Sequence, residues 1–155
     1  MRIEFISPFV EASLSVLGAI FKEPSSKGEM TLERGLVQRE SFSVSFGLTG
    51  DIEGMVLFDT NERTAMDIAG AMNGRRFEEM DPLVLDSMAE LMNMIIGNSV
   101  SLLNESGFRF KLTPPSILWG KDMKLFPINL ETLKVPLHSP NGDMTISISM
   151  KPRVG

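Results

Sequence analysis

The chain has 155 residues, 43% of them hydrophobic and 23% charged, with a formal net charge of −5. That length gives one domain a real core and is short for two, and an acidic balance unbroken by any run of Lys and Arg disfavours a nucleic-acid partner. With no cysteine, no tyrosine and one histidine, disulfides, thiolate catalysis and Cys-based zinc sites are excluded, and a catalytic triad or histidine metal site would have to be built around a single imidazole.

The N-terminal stretch MRIEFISPFVEASLSVLGAIF carries Glu4 and Glu11 inside its apolar pattern. It lacks the continuous hydrophobic segment of a signal peptide, and nowhere does the chain approach about 18 uninterrupted apolar residues. A cytoplasmic protein without a membrane span is therefore expected. The first helix is predicted from Pro8 to Phe21, with Ser7 as N-cap and Pro8 at the first helical position, where its missing N–H costs nothing. Val10, Leu14, Leu17 and Phe21 would form its buried stripe.

Residues 22–29, KEPSSKGE, are polar and turn-rich, and Leu36 to Leu48 then alternates apolar and polar residues with the period of a half-buried strand. Phe42, Val44 and Phe46 should face inward. TGDIEG at 49–54 and MVLF at 55–58 complete an antiparallel hairpin. A helix follows from Thr60 or Asn61, spanning Arg63 to Met72 before Gly74 stops it. Arg75 to Met80 links it to a long helix that Asp81 caps and Pro82 starts, ending near Ser106 and Gly107.

The remainder reads as strand: Phe108 to Leu112, a Thr113-Pro114-Pro115 break, Ser116 to Trp119, Leu125 to Leu137, and Met144 to Met150. Asn141-Gly142 is the strongest hairpin signal. His138, before that turn, reads as a strand-end histidine with no nucleophile motif nearby. Each half thus gives a helix followed by a hairpin, with TGDIEG matched by PNGDMT, a weak internal duplication. No linker divides the chain. A single α+β domain over residues 1–155, with helices packed on one face of an antiparallel sheet, fits best.

The long helix is the most informative segment. At about 100° per residue, Asp86, Glu90, Asn93, Gly97, Ser101 and Asn104 fall within an arc of roughly 80°, opposite Val84, Leu85, Met88, Leu91, Met92, Ile95, Ile96, Leu102 and Leu103. An exposed interior Asn is a poorer helix former than Ala, and Gly97 costs about 1 kcal/mol relative to Ala, so helix stability does not account for them. Gly97 leaves a gap through which another protein's backbone can approach. Of twelve methionines, Met72, Met80, Met88, Met92 and Met94 cluster around this helix as gap-filling core, with Met94 beside the polar line and able to meet a partner.

The sequence Glu90-Leu91-Met92-Asn93, or E-x-x-N, followed by Gly97, resembles the signature helix of the CheC/CheX/FliY chemotaxis phosphatases. E-x-x-N alone is common. The identification rests on its place in a matching order of segments: Pro8-Phe9-Val10-Glu11-Ala12, GLTGDIEGMVLF, AMNG at 71–74 and LTPPSILWG at 112–120 all look like the CheX-like branch. The resemblance covers nearly the whole chain and implies the family's α+β fold.

It further implies a phosphatase acting on the aspartyl phosphate of a CheY-like response-regulator receiver in two-component signalling, with Glu90 and Asn93 as the matching catalytic positions. Asp86, Met94, Gly97 and Ser101 flank them as partner contacts, while Asn98, at the edge of the line, is expected to cap, pack or bond locally. CheC-like relatives often carry a second pair on the first helix. Here that stretch is Glu11-Ala12-Ser13-Leu14, with leucine where the amide should stand, so one active centre per chain is implied and the first helix reads as structural. The acidic and amide side chains on the line are too few for a closed cation cage. No cofactor is expected in this chain, Mg²⁺ being supplied with the receiver. A homodimer joined by extending the sheet is also implied, with Leu125 to Leu137 suited to the edge. The competing expectation is a receiver-binding or dimerisation module without catalysis.

Overall fold

Alternation in residues 42–48 decides the middle of the sheet. In a computed structural model, which describes residues 3–35, 37–128 and 130–151, strand β4 (Phe42–Gly50) turns Phe42, Val44, Phe46 and Leu48 inward, each at most 2% exposed. Before it come helix α1 (Ile3–Phe21) and the short strands β1 (Ser26–Lys27), β2 (Thr31–Arg34) and β3 (Val37–Gln38). After it follow β5 (Gly54–Thr60), α2 (Glu62–Asn73), α3 (Pro82–Glu105), β6 (Phe110–Leu112), β7 (Ser116–Trp119), β8 (Lys124–Leu125), β9 (Glu131–Ser139) and β10 (Gly142–Met150). The path through the eight-stranded antiparallel sheet is β1-β9-β10-β5-β4-β6, with β2 also on β9 and β7 also on β4.

Val44 and Phe46 of β4 pair with Phe58 and Val56 of β5, which pair in turn with Ile146 and Ile148 of β10. One face of the sheet is therefore an aliphatic and aromatic layer, and Phe9 of α1 lies on it with its ring 6.3 Å from that of Phe46. Buried residues of all three helices, including Leu17, Ile68 and Leu91, join the same core. The α+β arrangement read from the sequence is the one observed. The two long hairpins meet through their second strands, β5 and β10, as paired copies of a helix–hairpin unit would.

The opposite sheet face carries polar side chains that satisfy each other. Buried Asp59 accepts from the Glu40 N–H at 2.7 Å and from the Ser43 hydroxyl, and the Thr132 and Ser149 hydroxyls share a 2.7 Å bond. At the β9–β10 turn Gly142 sits at φ 141°, and a Cβ there would come within 2.2 Å of Thr64 Oγ1 on α2. Only glycine fits.

Three boundaries differ from expectation by more than two residues. Helix α1 starts at Ile3 rather than Pro8, so Pro8 lies inside it and Ser7 is no cap. Burial explains the extension: Ile6 is 2% exposed and the Phe5 ring meets Phe108 edge-on at 4.4 Å, gains available only if the helix begins early. Within it Val10 and Leu17 are buried as expected, whereas Leu14 and Phe21 are half-buried.

The strand expected from Leu36 starts at Phe42, Leu36 itself lying outside the described residues, and Val37–Gln38 instead pair with β8 in a separate ribbon. The strand expected over Leu125 to Leu137 is broken, with Asn129 outside the described residues. Pro127 cannot donate to a ladder, and β9 begins only at Glu131. Moreover β9 is no edge. Thr31 to Arg34 of β2 pair with Lys134 to Glu131, and the Gly28 N–H donates to the Pro136 carbonyl at 2.8 Å. Among the described residues the sheet's open edges belong to β1 and β2 on one side and β6 and β7 on the other.

Helix α1 over Glu4–Phe21 is the one described helix long and apolar enough to cross a membrane, although half of that stretch is buried within the protein and Glu4 and Glu11 interrupt it.

Candidate functional site

Helix α3 is fixed at its start by its own sequence. Asp81 accepts from the Leu83 and Val84 N–H groups at 3.0 and 3.2 Å, and Pro82 occupies the first turn, where no donor is needed. A second tie sets the helix relative to α2. Asn73, the last residue of α2 before the left-handed Gly74 (φ 66°), donates from Nδ2 to both the Ala69 carbonyl and the Ser87 hydroxyl at 2.7 Å. Val84, Met88, Leu91, Met92, Ile95 and Leu103 then enter the core, each at most 1% exposed.

With those side chains inward, rotation about the helix axis brings the polar line out. Asp86, Glu90, Asn93, Gly97, Ser101 and Asn104 are all exposed, in a file spanning about 27 Å of helix at ~1.5 Å per residue. Glu90 and Asn93, three apart, are surface neighbours with Cβ atoms about 5–6 Å from each other. Neither side chain has a hydrogen-bond or ion-pair partner among the described residues, nor has that of Asp86. Met94 is 38% exposed beside them.

A Cβ placed on Gly97 would meet nothing within 4 Å. The glycine is thus not required by the packing of this chain. Ser101 turns its hydroxyl back to the Gly97 carbonyl at 3.2 Å, which keeps the surface low at that point.

One feature was not legible from α3 alone. Phe5 lies against Phe108, while Glu11, Ala12 and Ser15 face Asn98, Ser101 and Leu102, so α1 runs antiparallel beside the second half of α3. Between the helices is a hollow of about 380 Å³ lined by those six residues. Asn98, expected to cap, pack or bond locally, is instead exposed with no side-chain hydrogen bond among the described residues. Leu14 is half-buried, so α1 presents no amide three residues after Glu11.

His138 is exposed near the end of β9, its Nδ1 2.9 Å from Asp143 Oδ1. No group of three or more His, Asp and Glu side chains suited to a metal ion occurs among the described residues. The chemistry on offer along α3 is a carboxylate and a carboxamide, side by side, facing outward.

The fold recurs in known proteins. The profile of the chemotaxis phosphatase CheX family matches residues 42–138. A CheC-like superfamily protein from Shewanella sp. PV-4 superposes with a TM-score of 0.88 at 25% identity, covering 98% of this chain and 100% of that one. This defines the class as CheC-like α+β proteins. The CheY-P phosphatase CheX of Thermotoga maritima is 29% identical over 116 residues, 74% of this chain and 70% of its own length. A CheX-CheY-BeF3-Mg²⁺ complex from Borrelia burgdorferi matches with a TM-score of 0.82 at 30% identity, covering 97% of this chain and 100% of that one. The chain belongs to the CheX family of chemotaxis phosphatases.

Proposed function

We propose that this protein hydrolyses the aspartyl phosphate of a CheY-like receiver, with Asn93 orienting the attacking water and Glu90 holding the receiver's lysine. The observation that carries the proposal is the pair itself: two polar side chains with no partner among the described residues, exposed on a helix whose other face packs into the core. Family membership, the activity named for the Thermotoga relative and the CheX-CheY complex from Borrelia support it.

An acyl phosphate is already activated, so the demand on this chain is position rather than strong acid or base. A carboxamide both donates and accepts, and stays neutral beside a negative phosphoryl group, so Asn93 can hold a water in line with phosphorus where a carboxylate would repel. Glu90, one turn away on the same face, supplies a charge-assisted bond that fixes the register of the two proteins. Mg²⁺ comes with the receiver, as the Borrelia complex, which contains CheY and Mg²⁺, suggests. Asp86, Met94, Gly97 and Ser101 surround the pair as the nearest docking contacts.

The test is release of inorganic phosphate from phosphorylated receiver. Asn93→Ala is expected to lose about 3 kcal/mol of transition-state stabilisation, roughly a hundredfold in rate, while still binding, and Glu90→Ala to weaken both. Parental rates in Asn93→Ala would refute the assignment. The homodimer belongs to the same proposal, through the β1/β2 or β6/β7 edges, and light scattering over a range of concentrations tests it.

A further inference from the structure

We infer that the hollow between α1 and α3 is a second part of the receiver-docking surface, in which Glu11 takes a lysine or arginine side chain of the receiver; this rests on the function proposed above. The hollow opens onto the line that carries Glu90 and Asn93. Ser101 belongs to both, and it lies eight residues, about 12 Å of helix, beyond Asn93. A protein–protein interface of ordinary size covers about 800 Å² per partner, a patch roughly 30 Å across. A receiver seated over Asn93 therefore also overlies the hollow.

The chemistry of the lining selects what enters. Glu11 is exposed and has no ion pair among the described residues. Neither α1 nor α3 contains a Lys or Arg, and Lys27 of β1, which lines a neighbouring hollow together with Glu11, forms no ion pair with it among the described residues. Covering that carboxylate with a neutral surface would strip its water and leave it without a bonded partner, so a cation is the group its site favours. Ser15, Ser101 and Asn98 offer hydroxyl and amide oxygens for its remaining N–H groups, and the small Ala12 leaves the space of about 380 Å³ open to a long side chain. The first helix, read from sequence as structural only, becomes a specificity element for the partner, and Asn98 becomes one of its contacts.

The experiment titrates the CheY-like receiver from the same organism, in its Mg²⁺ and beryllofluoride form, against the parent protein, Glu11→Gln, Glu11→Arg and Asn98→Ala. Glu11→Gln is expected to raise Kd about three- to tenfold at low salt and Glu11→Arg further, with the differences shrinking as ionic strength rises. Phosphate release at saturating phosphorylated receiver should keep the parental kcat, with the change confined to KM. Glu11 is exposed, so folding is not at stake, and thermal unfolding checks this. Unchanged Kd in Glu11→Gln and Glu11→Arg at every salt concentration would overturn the inference. So would a shift of oligomeric state in Glu11→Arg with receiver affinity unchanged, which would assign the hollow to a second copy of this chain. Failure of the underlying function is separately visible, because then the parent itself neither binds the receiver nor releases phosphate.

Discussion

Replacing Gly97 with alanine separates what the fold needs from what a partner needs. The residue is mid-helix in α3, and a Cβ there meets nothing within 4 Å, so no neighbour must move. Alanine is favoured over glycine in a helix interior by about 0.8–1.0 kcal/mol, chiefly because the unfolded chain loses freedom. For a domain of this size that corresponds to a rise in Tm of about 2–4 °C. The same methyl group stands on the line one turn after Asn93, where a docking backbone would approach, so receiver affinity should fall as stability rises. Calorimetry and a titration with beryllofluoride-loaded receiver read the two quantities independently. A fall in Tm would show that Gly97 serves the chain's own packing. A rise in Tm with unchanged affinity would remove Gly97 from the docking surface.

Asn93→Ala should also stabilise the protein slightly, by about 0.5 kcal/mol, because the side chain makes no bond among the described residues and alanine is the better helix former; urea unfolding of the variant checks this. Gly142→Ala should cost about 2–4 kcal/mol, since it combines a φ of 141° with a Cβ 2.2 Å from Thr64 Oγ1, and a loss below 1 kcal/mol in chemical denaturation would contradict that geometry. Asn73→Ala removes the two 2.7 Å bonds that join α2 to itself and to Ser87 of α3, so a loss of about 1–2 kcal/mol is expected by the same measurement.

The outward line on α3 was present in the sequence because helical periodicity is local: once Leu91, Met92 and Ile95 must be buried, Glu90 and Asn93 have one direction left. The caps were equally local, and Asn61, Gly74 and Asp81 act where their residue types place them. So were the hairpins at 49–54 and 140–142, whose turns depend on two or three residues. The sequence thereby determined the three helices and the two long hairpins, the layer that carries the candidate site and the family resemblance built on their order.

What it did not determine involves partners distant along the chain. The start of α1 depended on Phe108, about a hundred residues away, because Phe5 gains from being helical only if that ring is there to meet it. The coverage of β9 depended on Thr31 to Arg34, which carry no signal naming their neighbour. The hollow beside Glu11 exists only because two helices separated by a whole hairpin and α2 lie side by side. Local propensity fixes which way a side chain leaves its own helix, but which other surface it faces is decided by the burial of the whole core, and only tertiary structure records that.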